Sequence, residues 1–185
     1  MQLHQLQVVF DAAEDRLLFR VSTTDQQEFR AWLTRRFIKL LWPHLVKSIE
    51  TKVAVKTPMP DARREVMGFE HEKAVKETDF SKPFDAAAER ALPLGAAPFV
   101  VTQGNIQRDQ HGNHAVTLNP AQGQGMSLAF DDRLMHSFCK LLDTAVRQAE
   151  WDMRLMVSPE EVAAAQTNAG DANEAHAPIP KRLLN

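Results

Sequence analysis

The residues predict an α+β fold: one antiparallel sheet of about five strands with two long amphipathic helices packed on it. Apolar side chains alternate with period two around Val8, Phe19 and Leu128, as strands require. They recur at three- and four-residue steps from Phe29 to Ile49 and from Leu134 to Ala149, as helices require. Each long helical stretch also follows a strand-like one almost directly, which suggests a ββα/βββα pseudo-repeat.

Taken in order, the first pair of strands is a hairpin. Leu6, Val8 and Phe10 alternate with Gln5 and Gln7; Leu17, Phe19 and Val21 alternate with Leu18 and Arg20; the polar run 11–15 turns the chain between them. Residues 22–25 offer helix caps, and Thr24 with Gln27 fits a capping box. A helix is therefore predicted over 25–56, burying Phe29, Leu33, Phe37, Leu40, Leu41, Leu45 and Ile49, with Pro43 inside it. Residues 57–97 change character. Pro58, Pro60, Pro83 and Pro93 punctuate mixed charge, which predicts a mobile excursion with short helices at 61–66 and 85–92. Strands return at 99–102, 115–118 and 126–130, with a turn at 109–113 and a loop at 119–125. Asp131 and Asp132 cap a second long helix that buries Leu134, Phe138, Leu141, Leu142, Ala145 and Ala149. Residues 1–157 thus read as one domain and 158–185 as a flexible tail rich in Ala, Asn and Glu.

Composition narrows the function classes. The 185 residues carry 22 Lys+Arg against 24 Asp+Glu, a net charge of −2, which does not suit a polycation that coats nucleic acid. The single cysteine, Cys139, excludes an internal disulfide framework and a cysteine-based zinc cluster, and fits a reducing compartment. The N-terminus has no basic start or apolar core, and no apolar run approaches the roughly 20 residues of a membrane span. The expectation is a soluble cytoplasmic protein.

No catalytic motif stands out. His111 and His114 are spaced to share an ion, but only Asp109 lies near them in sequence, so a polar turn is the plainer reading and no metal or cofactor is expected. The Gly123–Gly125 loop precedes a strand, so no helix dipole faces it as a phosphate site needs. His44, His136 and Asp143 lie on the two long helices and could form an enzyme site only if the fold brought them together. Cys139, inside a helical stripe, is expected to be inert.

The stretch 30–56 is the exception to this plainness. It holds Arg30, Arg35, Arg36, Lys39, Lys47, Lys52 and Lys56 against the single acid Glu50, a local balance of +6, and Phe29, Trp32, Phe37 and Trp42 are interleaved with the charges. Arg and Trp are typical interface anchors. Arg30, Trp32, Arg35, Arg36, Lys39 and Trp42 are therefore the candidate binding residues. The leading expectation is a non-enzymatic binding or adaptor protein with an acidic protein partner, itself a homo-oligomer. The alternative is a nucleic-acid-binding module that uses the same basic stretch, which the acidic total charge disfavours.

Overall fold

A computed structural model describes residues 2–56, 60–77, 82–85, 89–109 and 112–155 of the chain. It is an α+β fold with seven strands in two sheets and three helices among those residues. Strands β1 (Leu3–Asp11) and β2 (Arg16–Thr23) form the expected antiparallel hairpin, with Phe10 opposite Leu17 and Asp11 opposite Arg16. The turn is held by Asp11, whose carboxylate accepts from the Ala13 and Glu14 N–H groups at 3.0 and 3.1 Å.

The next element corrects the sequence reading. Residues 28–33 form a third strand, β3 (Glu28–Leu33), antiparallel to β2, and not the start of a helix. Phe29 and Leu33 are four apart, which places them on one face of a strand as well as of a helix. The arbiter is the turn before them. Gln26 adopts φ 56°, the Thr23 N–H donates to the Gln27 carbonyl at 3.0 Å, and Thr23 Oγ1 accepts from the Gln27 N–H at 3.3 Å. The polar residues 22–27 thus close a hairpin instead of capping a helix. Helix α1 (Arg35–Lys56) begins at Thr34, whose Oγ1 accepts from the Phe37 N–H at 3.2 Å. Pro43 lies inside it on the exposed side, where water can satisfy the Lys39 carbonyl that loses its partner.

The segment expected as an excursion with short helices holds helix α2 (Pro60–Glu77), 18 residues long. It packs on both α1 and α3 (Asp132–Gln148) and buries Met67 and Ala74. Its apolar residues make no clean stripe, and exposed Phe69 lies off the buried side, so no periodicity announces it. Residues 89–92 are not helical: Ala91 forms an isolated parallel bridge with Gln27. Strand β4 (Phe99–Val100) pairs parallel with β3. The chain then leaves one sheet for the other. The Val101 N–H donates to the Trp32 carbonyl at 3.0 Å and the Thr102 N–H to the Asn119 carbonyl at 2.9 Å. The second sheet is β5 (Gln103–Arg108), β6 (His114–Asn119) and β7 (Met126–Phe130), antiparallel and in that order. The single antiparallel sheet of the sequence reading is therefore two sheets with one parallel pairing. In the element order, three strands precede α1 and four stand between α2 and α3, where two and three were expected.

Both sheets and all three helices share one core. Phe138 of α3 joins the sheets: its ring lies 5.2 Å from Phe19 of β2 and 5.4 Å from Phe130 of β7. Leu40, expected in the core, is 60 % exposed instead. Trp151 closes one end, its indole N–H on Asp15 at 2.9 Å. The loop into β7 passes very close to the end of β6. A Cβ on Gly125 would strike the Leu118 carbonyl oxygen and the Asn119 side chain, and would come within 2.8 Å of Asn119 Cα. Because backbone cannot yield as a side-chain tip can, Gly125→Ala should cost about 1–3 kcal/mol in chemical denaturation. An unchanged midpoint would show that the loop can move aside. Among the described residues, no helix is long and apolar enough to cross a membrane. The tail 158–185 lies outside the described residues.

Candidate partner-binding surface

Helix α1 has two faces set by its sequence. Phe37, Ile38, Leu41, Trp42, Leu45 and Ile49 point into the core. On the other side, Arg36, Lys39, Leu40, Pro43, His44 and Lys47 follow one another at steps of one and three residues and are all exposed. Arg35 flanks this stripe and donates to the Asp152 carbonyl at 3.3 Å. Glu50 is the one acid on the exposed side of residues 35–50. Arg36 and Lys39 make no ion pair within the described structure.

The charges sit against the helix's own field. Arg35 and Arg36 open α1, and its first turn holds no acidic residue. The N-terminus of a helix carries partial positive charge, and cations there are disfavoured by ~0.3–1 kcal/mol each. Helix α3, by contrast, opens on Asp131 and Asp132, and Asp131 accepts from the Leu134 N–H at 2.7 Å. Stability alone does not select the α1 arrangement.

The six candidate binding residues separate into three places. Arg35, Arg36 and Lys39 share the exposed start of α1. Trp42 is buried in the core at 8 % exposure, and Phe29 and Phe37 are buried too. Trp32 is half-buried on β3, across from Leu18 of β2. Arg30, also on β3, belongs to an ion cluster around Glu28. The aromatics that sequence places among the basic residues of α1 therefore face inward. Leu40 is the apolar group that accompanies the charges, and the sequence reading missed it because its spacing fits the core stripe equally well.

The Glu28 cluster holds a neighbouring segment in place. Arg20 and Arg30 meet Glu28 Oε1 at 2.9 and 2.6 Å, and Arg90 meets Oε2 at 3.4 Å. The Arg20 guanidinium lies 4.2 Å from the centre of the Phe84 ring and that of Arg90 5.2 Å, as cation–π pairs. Gln5 donates to the Pro83 carbonyl and accepts from the Asp85 N–H, and the Arg30 guanidinium donates to the Ala96 carbonyl. The described parts of 82–98 are thus strapped across one face of the first sheet.

The other chemistry-bearing residues lie apart from one another. His44 is exposed on the α1 stripe, His136 lies against His71 with the rings tilted by 56° and their Nδ1 atoms 3.2 Å apart, and Asp143 accepts twice from Arg147 at 3.0 Å. Each of the three has different neighbours. His114 lies in a hydrogen-bonded line that sequence reasoning did not find: Ser48 Oγ is 2.7 Å from its Nδ1, and Asp132 Oδ1 is 3.2 Å from its Nε2. Its members come from α1, β6 and α3, with no local motif to signal them. A nucleophilic triad buries its acid and opens its base toward substrate. Here the imidazole is 1 % exposed and the carboxylate 39 %, so the line ties three elements together. His111 lies outside the described residues, and among those described no group of three or more His, Cys, Asp or Glu is placed to hold a metal. Cys139 is fully buried, which pushes its thiol up to about 12 and leaves it unreactive. Against protein-family models, curated proteins and solved structures, the chain has no match.

Proposed function

We propose that the protein works by binding, and that the outer face of α1 is a docking site for an acidic segment of a protein partner. The observation that supports this is the pairing of misfit charge with exposed apolar surface. Two arginines sit at the positive end of a helix, and a leucine that is 60 % exposed lies one turn further along the same face. Cations at a helix start cost stability, and a docking role uses them together with the leucine beside them. A segment carrying Glu or Asp around one apolar side chain complements this stripe in charge and shape.

The test uses two fluorescent probes: a peptide of interspersed Glu and Leu, and a single-stranded oligonucleotide. The peptide is expected to bind. The pair Arg36→Glu and Lys39→Glu should weaken it on the order of tenfold, the effect of losing two exposed ion pairs worth up to ~1 kcal/mol each. Leu40→Ala should weaken it too, while shifting stability by no more than about 0.5 kcal/mol. The double reversal should leave the melting temperature unchanged or slightly higher, because a carboxylate suits the first turn. Peptide affinity indifferent to both variants overturns this reading. Oligonucleotide binding that falls steeply with salt and ignores Leu40→Ala would instead favour a nucleic-acid role for the stripe.

A further inference from the structure

We infer that the chain pairs with a second copy of itself along β1, antiparallel across a two-fold axis. The inference starts from an edge. β1 ends the first sheet and pairs with β2 alone. It is nine residues long, and among the described residues no backbone group of Leu3–Asp11 is bonded on the side away from β2. A bare strand edge is a template for another strand, so monomeric proteins blunt their edges with charge, proline, a bulge or brevity. From Leu3 to Phe10 this strand carries no Lys, Arg, Asp, Glu, Pro or Gly. Its one irregularity lies at its start, between Leu3 and Gln5. The fold's other edges are shorter: two residues in β4, five in β7 and six in β5.

The core is also unfinished along this strand. Leu17, Phe19 and Val21 of β2 are 0 % exposed. On β1, Val8 is buried, but Leu3, Leu6 and Phe10 pack against the same core and are only partly buried. A strand added beside β1 covers that apolar margin while satisfying the free backbone groups.

The sequence of β1 suits its own copy. Antiparallel partners opposite one another share a face, so pairing must match even positions with even and odd with odd. With Gln7 on the axis, Leu6 faces Val8 of the second copy and Gln5 faces Val9. The first is an apolar pair on the core side. No like charges meet within residues 5–9, so nothing in that stretch opposes self-pairing.

Light scattering on eluting protein, over a dilution series down from tens of micromolar, reads the state directly. The dimer mass is expected. Val9→Lys puts a charge on the strand as natural edges do, and should raise the dimer dissociation constant at least about tenfold. Circular dichroism on the same sample must show a folded chain. Gln7→Cys fixes the register, because residues opposite one another on the axis have Cα atoms about 4.5–5.5 Å apart, within disulfide reach. Mild oxidation of that variant should give a covalent dimer. Wild-type protein that stays monomeric at tens of micromolar overturns the inference. A dimer that is indifferent to Val9→Lys and not captured through Gln7→Cys overturns it equally, and places the contact elsewhere.

Discussion

Phe138→Ala is expected to cost about 3–5 kcal/mol, a large share of a domain's total stability of ~5–15 kcal/mol. The ring is 0 % exposed and lies between Phe19 and Phe130, so its removal opens a cavity where α3 meets both sheets. Neither neighbour can close the gap easily, since each is anchored in a strand with fixed register. Two edge-to-tilted ring contacts are lost along with the buried area. Urea denaturation measures the effect, with Leu40→Ala as the contrast: the same kind of truncation on the exposed side of α1 should barely move the midpoint. A loss below about 1 kcal/mol for Phe138→Ala would mean that the sheets are held together by other contacts.

The contrast between Phe138 and Leu40 also shows what the residues disclose by themselves. Phe138 sits on a stripe with Leu142 and Ala145, all buried as its spacing predicts, and the cap at Asp131 marks where that helix starts. The first hairpin is equally open to reading, because residues 11–15 separate two runs in which every second residue (Leu6, Val8, Phe10 and Leu17, Phe19, Val21) is apolar. Residues 28–33 are not, because a four-residue step is shared by strand and helix, and only the conformation of Gln26 decides. Strand β5 is hidden for another reason. Only Ile106 among its six residues is even half-buried, so there is no apolar pattern to see. The surface was legible in part. The charges of Arg35, Arg36 and Lys39 are plain in the sequence, but which aromatic faces inward and which leucine faces outward depends on the phase of α1. That phase is set at Thr34, nine residues after the start that the sequence suggests. The line through Ser48, His114 and Asp132 depends on three elements meeting, and spacing along a chain does not contain that.

Glu28→Ala should be the most damaging change to a charged residue, because one carboxylate serves three guanidiniums. Its side chain is 2 % exposed, and those of Arg90 and Arg20 are 4 % and 15 % exposed, so the cations left behind are largely desolvated and repel one another. Breaking a buried pair in this way costs about 3–5 kcal/mol, and the 30 % exposure of Arg30 places the expected loss near the lower figure. The damage should be local as well as global. Arg90 and Phe84 are held on the sheet through this cluster, so tryptic cleavage after Arg90 should accelerate in the variant. Glu28→Gln separates charge from shape, and pH separates them again. Burial pushes the Glu28 carboxyl up, but the hydrogen bonds and charges of Arg30 and Arg20 outweigh it and hold the group below its ordinary 4.5. The unfolded chain therefore takes up this proton more readily than the folded one. The stabilisation from the charge is fully present above the unfolded value and drains away as pH falls below about 4.5 through the folded value. The difference in melting temperature between wild type and Glu28→Gln should accordingly be largest near neutrality and shrink on acidification. A difference that stays constant with pH, together with unchanged cleavage after Arg90 in Glu28→Ala, would show that the carboxylate is not what holds the strap.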